Sequence, residues 1–204
     1  MITVLEHPLV RRDITILRNV ETDPATFRAA AARVGIHLAI AATQTLELEN
    51  FTITTPLEET QGFKTANPLI LMPILRAGVA MLAPFSEVIP QAAIGYLGLR
   101  RNEETLQPEE YMFSFPPTEK PATVFLLDPM LATGGSMCAS IRRVRREGVK
   151  NIIIACMIAA PEGIERVRSE FPDIPIITAA LDRELNEIGF ILPGLGDAGD
   201  RFHG

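Results

Sequence analysis

Between Thr123 and Ala180 three apolar runs alternate with two segments of helical spacing, and few folds accommodate that pattern. The runs are Thr123–Leu127, Asn151–Ile158 and Ile174–Ala180. None of them alternates apolar with polar residues, so each must be covered on both faces. Strands of that kind belong to parallel sheets with helices above and below. Between them Ser136–Glu147 is amphipathic and stops at Gly148, and Pro161–Phe171 reads as a second helix. The expected class is therefore α/β, with a mainly parallel central sheet flanked by helices.

The first half of the chain extends this reading. Asp23-Pro24 supplies an N-cap side chain and a proline at the first helical position. Phe27, Ala30, Ala31, Val34, Leu38, Ala41, Ala42 and Leu46 then recur at helical spacing. Leu69–Ile74 reads as a buried strand, Ala77–Val88 as a helix interrupted near Pro84, and Gln91–Leu99 as containing another strand. Arg100–Pro117 is charged and aromatic by turns and closes on two prolines, which suits a protruding hairpin flap better than core. Gly189–Gly204 is glycine-rich without strand or helix period. A length of 204 residues suits one domain spanning 1–204.

The net charge of −6 disfavours polyanionic partners, so neither nucleic acid nor an anionic membrane is expected. A small phosphorylated ligand remains compatible, since a few local arginines and amides can hold it. Met1–Asp13 lacks the apolar core of a signal peptide, and the apolar stretch Pro68–Phe85 is broken by Pro73, Arg76 and Pro84. A soluble, cytoplasmic protein is expected. Cys138 and Cys156 lie among apolar or small residues and read as buried, reduced thiols, without zinc-like spacing. His7 and His37 read as structural, and His203 as exposed.

Chemistry concentrates in Asp128-Pro129-Met130-Leu131-Ala132-Thr133-Gly134-Gly135-Ser136, where a buried strand passes into a helix. That is the carboxyl edge of the sheet, where open α/β folds bind ligands. Two glycines allow close backbone approach, Thr133 and Ser136 offer hydroxyls, and the amides opening the helix attract an anion. Asp128 can hold a ribose diol, directly or through hydrated magnesium. The alternative is a helix cap with no ligand. No lysine follows the glycines, so this is not a Walker A loop, and GxGxxG is not matched. Arg76, among apolar neighbours in Pro73–Gly78, needs a partner, because an unpaired buried charge is costly; a phosphate is the natural one, and a structural carboxylate the alternative. Arg101 on its own reads as part of a solvated charge run. Pro193–Arg201 is dense in glycine and acid; without EF-hand spacing, a calcium loop or a structural turn are its bland alternatives.

The apolar run, Asp128 and Thr133-Gly134-Gly135-Ser136 together resemble the phosphoribosyl diphosphate signature of type I phosphoribosyltransferases. Pro129 and Ala132, where most relatives carry acids, resemble the uracil phosphoribosyltransferase family in particular. The likeness runs from His7-Pro8-Leu9-Val10 through Ala159-Ala160-Pro161-Glu162-Gly163 to Arg201. It implies transfer of 5-phosphoribosyl from its 1-diphosphate (PRPP) to N1 of uracil, giving UMP and diphosphate. It implies that Asp128 to Ser136 bind PRPP, with Arg76, Arg101 and Asp197 also contacting it, and that Arg76, Arg101, Asp128 and Asp197 serve catalysis. A cis or otherwise strained non-proline peptide near Leu75-Arg76 is implied too. Uracil would meet the carbonyl near Ile191 and the amides near Gly196 and Ala198, with Asp197 beside them, in a base-binding loop over 189–201. The acidic base usual in the PRPP loop is missing. Mg²⁺ is the implied cofactor, held by PRPP and water near Asp128 rather than by a protein ligand set. Relatives of this kind are homodimers or homotetramers, and a GTP effector is left open. The alternatives are a transferase for another nucleobase and a non-catalytic PRPP sensor.

Overall fold

The computed structural model describes residues 1–101, 108–118 and 121–203; the side chains of Arg101, Pro108 and His203 lie outside the described set. In chain order the elements begin with β1 (Ile2–Val4), α1 (Pro8–Arg18), α2 (Pro24–Ala42), β2 (Leu48–Thr54), β3 (Glu59–Thr65), β4 (Leu69–Leu75) and α3 (Val79–Val88). There follow β5 (Ala93–Ile94), β6 (Tyr96–Arg101), β7 (Pro108–Ser114), β8 (Thr123–Leu127), β9 (Met130–Leu131) and α4 (Gly135–Arg145). The chain closes with β10 (Asn151–Ala159), α5 (Pro161–Glu170), β11 (Ile176–Leu181), β12 (Glu184–Leu185), β13 (Ile191–Leu192) and α6 (Ala198–His203).

The central sheet runs in the order β1-β11-β10-β8-β4-β6-β7 and is parallel except for the β6–β7 hairpin. Its inner strands β4, β8, β10 and β11 bury both faces along most of their length, as their unbroken apolar runs require. On β8, Phe125 and Leu127 join the cluster under α1, α2 and α3, whereas Val124 and Leu126 join the one under α4 and α5. Each such side chain contributes roughly 1.5–3 kcal/mol on burial. In the β4–β8 pair Pro73 lies opposite Leu127, so the residues after the two strands emerge side by side at one edge. The chain leaves β4 toward β6 on one side, and β8 is inserted on the other. The β4–β8 crevice is thus the switch point at which α/β sheets bind ligands.

Helix α2 starts as the sequence indicates: the Asp23 carboxylate accepts from the amides of Ala25 (2.9 Å) and Thr26 (3.0 Å). It ends at Ala42, so Leu46 packs from the following loop rather than from the helix. The expected break at Pro84 does not occur, and α3 runs through it. Pro84 packs on Gly35 of α2, where an added Cβ would lie 2.5 Å from the proline ring. Asp13 of α1 is tied to α2 by Arg33 (2.8 Å) and is also paired with its neighbour Arg12 on its own helix (3.0 Å). Burial pushes the Asp13 carboxyl up, but bonds from Arg33 and then Arg12 outweigh it and hold it below its ordinary value.

Two further differences stand out. Leu48–Thr65 forms an antiparallel arm, β2–β3, that packs almost nothing beneath it. Gly189–Gly204 is not irregular throughout, since it contains β13 and α6. The short strand pairs with β12, and Asp197 opens the helix by accepting from the Asp200 amide (2.9 Å). Segments this short carry too few residues to show a period. Cys138 and Cys156 are buried and unpaired; burial pushes their thiols up to about 11 and about 12. His7 caps α1, its Nδ1 accepting from the Leu9 amide at 3.2 Å, and its ring lies 4.6 Å from that of His37. Among the described residues no helix is long and apolar enough to cross a membrane.

Candidate active site

The segment after β8 is held by the sheet rather than hanging as a free loop. The Pro129 carbonyl accepts from the amides of Met157 (3.0 Å) and Ile158 (3.1 Å), and the Leu131 carbonyl accepts from Ala160 (2.9 Å). Short strand β9 thereby extends the sheet beside β10. The chain then turns at Gly134, which has φ +75°, a left-handed conformation that L side chains rarely adopt. Helix α4 begins immediately after, with its first amides and dipole directed at the turn. Gly134 and Gly135 are buried, whereas Thr133 and Ser136 are exposed. A cavity of about 80 Å³ sits in this cradle, lined by Asp128 and by Met130 to Met137. Its size and donors suit a phosphate group.

A second cavity of about 330 Å³ adjoins it, within the range of small-molecule sites. Three segments distant in sequence meet there: Ala77 after β4, then Asp128, Met130 and Ala132 after β8, and Ile188 to Ile191 with Gly196 to Gly199 from the C-terminal region. Ile191, Gly196, Asp197 and Ala198 all line it, as the base-binding reading requires. Asp128 lies where the two cavities meet. Burial pushes its carboxyl up to about 7, opposed by the Met130 amide, which approaches Oδ1 at 3.4 Å. Such a group, poised between charged and neutral near neutrality, marks functional clefts. A larger cavity of about 390 Å³, lined by Leu69, Thr123 and Asn151, opens at the amino ends of the strands, remote from all these loops.

Arg76 follows β4 at this carboxyl edge, and the Leu75-Arg76 peptide is cis. The reasoning from a buried charge needs correction: the Arg76 side chain is exposed, and no ion pair forms to it among the described residues. Solvent satisfies it, so it needs neither a phosphate nor a structural carboxylate to be tolerated. Arg101 ends β6 at the mouth of the flap, but its side chain and residues 102–107 lie outside the described residues. Its neighbour Arg100 is committed across the hairpin to Glu109 at 3.0 Å. Asp197 is exposed and lines the cavity, with one carboxylate oxygen engaged as the cap of α6.

Sequence reasoning missed Ala77, Ile188 and Phe190 in the lining, since isolated apolar residues carry no signal of facing a ligand. It also missed Gly163 as a support of the cradle. An added Cβ on Gly163 would lie 2.3 Å from the Ala132 carbonyl oxygen, so α5 bears directly on the turn.

A profile described as uracil phosphoribosyltransferase matches residues 4–204. The chain is 46% identical over 203 residues to a uracil phosphoribosyltransferase of Salinibacter ruber, covering 100% of this chain and 97% of the relative. Among solved structures, the AQ2163 protein from Aquifex aeolicus superposes with a TM-score of 0.93 at 34% identity, covering 100% of this chain and 98% of that one. The adenine phosphoribosyltransferase of Leishmania donovani superposes with a TM-score of 0.60 at 14% identity, over 89% of this chain and 83% of that one, and so shares the fold.

Proposed function

The chain belongs to the uracil phosphoribosyltransferase family, and from that premise we propose how its own residues carry the reaction. Uracil and 5-phospho-α-D-ribose 1-diphosphate give UMP and diphosphate: the C1–O bond breaks, the N1–C1 bond forms, and N1 loses its proton. The observation that carries this reading is the meeting of the cradle, Ala77 beside Arg76 after β4, and Ile191 and Gly196 to Ala198 of the C-terminal region around adjoining cavities.

The amides and hydroxyls of Ala132–Ser136 hold the 5′-phosphate against the start of α4. Met130 and Leu131 place the ribose over the β8 edge, with Asp128 beside its hydroxyls. Arg76, exposed and uncommitted among the described residues, takes up the negative charge that grows on the departing diphosphate. We assign Arg101 to the same task from the flap side. In the base loop the Ile191 carbonyl accepts from uracil N3–H, while the Gly196 and Ala198 amides donate to its carbonyl oxygens. Cytosine would set an amino donor against an amide donor, a buried mismatch that specificity exploits. Asp197 orients the base and ribose. Holding N1 against C1 supplies most of the remaining advantage.

The residues fit Mg²⁺. Asp128 offers one carboxylate at the junction of the cavities, and this ion typically takes one or two carboxylates with ligand and water oxygens. Asp128 would hold it, and the bound ion would neutralise charge on the diphosphate.

We read the protein as one cytoplasmic phosphoribosyltransferase unit that self-associates. The arm supports the last point: Leu48, Phe51, Leu57 and Phe63 are all exposed, and an isolated two-stranded ribbon is only marginally stable in water. The deciding assay measures diphosphate release with uracil, PRPP and Mg²⁺, omitting each in turn. Release is expected only with all three. Equal release with hypoxanthine or orotate in place of uracil would assign another base, and PRPP binding without turnover would make the chain a sensor.

A further inference from the structure

We propose that Arg18 and Asp182, distant in sequence and outside the cavity, are positioning residues that set base selectivity by clamping the peptide groups of Gly194. The inference rests on the uracil reading above and extends it to α1. Gly194 occupies the tight return of the base loop, with φ +66°; an added Cβ would lie 2.1 Å from the Ile191 carbonyl oxygen. Ile191 and Gly196, on either side of it, face the cavity. Any shift of Gly194 therefore moves the main-chain groups offered to the base.

Both polar groups of Gly194 are bound by one ion pair. Its amide donates to Asp182 Oδ2 at 2.9 Å, and its carbonyl accepts from Arg18 Nη1 at 2.8 Å. The same Nη1 donates to Asp182 Oδ2 at 2.8 Å, and Arg18 Nη2 bonds the other carboxylate oxygen. Asp182 is 6% exposed and is fixed to the sheet by its own amide, which donates to the Ala159 carbonyl at 2.8 Å. Arg18 is the last residue of α1. A second arginine ties the same helix end to the same loop. Arg201 donates to the carbonyls of Leu195 (3.0 Å), Asn19 (2.8 Å) and Leu17, its guanidinium 4.3 Å above the Phe27 ring.

The pair has little purpose as a general stabiliser, because desolvation of the buried Asp182 carboxylate, and in part of the Arg18 guanidinium, offsets much of their attraction. It supplies direction instead. A guanidinium fork and a carboxylate fix two bonds in space, and recognition by main-chain groups fails if they drift by a fraction of an ångström.

The test uses the full chain with Arg18→Lys and Asp182→Asn, which keep size and polarity, and the double variant Arg18→Met/Asp182→Leu. The expected result is a rise of about tenfold or more in KM for uracil, with KM for PRPP within about twofold of the parent and discrimination against cytosine reduced. The double variant keeps neither hydrogen bond to Gly194, so it should raise KM for uracil at least as much as the worse single variant, even though no charge is stranded in it. Folded variants with an unchanged uracil KM, or with both KM values raised together, would overturn the clamp. Slow hydrogen exchange of the Gly194 amide in the unmodified protein is also required, so fast exchange there refutes the proposal even if no variant folds. Absence of uracil-dependent turnover in the unmodified protein removes the functional reading itself, whereas unaffected variants of an active enzyme remove only the clamp.

Discussion

Gly163→Ala should damage PRPP binding more than it damages the fold. The new Cβ would lie 2.3 Å from the Ala132 carbonyl oxygen and 2.9 Å from that of Leu131. Real Cβ atoms stay beyond 3.0 Å from such neighbours, so α5 and the cradle must separate by about 0.7 Å. Neither partner is a flexible side-chain end that can swing away. The cradle cannot absorb the shift cheaply, since Gly134 itself packs on Gly163 from the other side. Two terms bear on stability. Alanine in place of glycine within a helix gains up to about 1 kcal/mol, and overpacking costs about 1–3 kcal/mol. A net loss of about 1 kcal/mol should lower Tm by roughly 2–4 °C. Misplacement approaching 1 Å at a reacting site costs on the order of 100-fold, so a loss of about 10- to 100-fold in kcat/KM for PRPP is expected. Steady-state kinetics with PRPP varied, beside a thermal melt, read both effects. A Tm above that of the parent with unchanged kcat/KM would show that α5 yields freely and does not set the cradle.

Arg76→Ala should leave Tm within experimental scatter, because the side chain is exposed, while lowering kcat about 10²–10³-fold if it meets the departing diphosphate; unchanged turnover removes that role. Asp128→Asn should stabilise the ligand-free protein progressively as pH rises. The folded carboxyl is raised to about 7 from an ordinary 3.8, so the native state holds the proton more tightly than the unfolded chain does. The stability contributed by Asp128 is therefore full below about pH 4 and is lost as pH rises through about 7. A melting difference between the two proteins that is flat from about pH 5 to about pH 8 would contradict this. Gly35→Ala should destabilise by about 1–3 kcal/mol through its clash with Pro84, and Pro84→Ala should recover much of that loss; additive effects in denaturant melts would deny the contact.

Most of the framework was legible before any coordinates, and for identifiable reasons. Strands β4, β8, β10 and β11 are apolar on both faces, which only a sheet covered on both sides can satisfy. Asp23-Pro24 starts α2 by local capping chemistry, and Gly148, at φ +82°, follows α4 as its stop. The cradle was readable as a turn because an acid and two glycines stand between a buried strand and a helix, and Gly134 takes the left-handed conformation there. Signals of these kinds are local, and a local signal survives in one dimension.

Contacts between distant segments were not legible. The exposure of Arg76 depends on how the edge after β4 faces solvent, and its apolar neighbours in sequence suggested the opposite. Helix α3 tolerates Pro84 because Gly35 of another helix makes room for the ring. The arm of β2 and β3 rests on no core, so no buried face stamps a period on it. Arg18, Asp182 and Gly194 are neighbours only because α1, β11 and the base loop converge at one edge of the sheet. Periodicity and capping, both local, were enough to specify the layers and the glycine turn after β8. The tertiary structure alone decided what stands opposite what, because hydrogen bonds and steric contacts act over a few ångströms and take no account of separation along the chain.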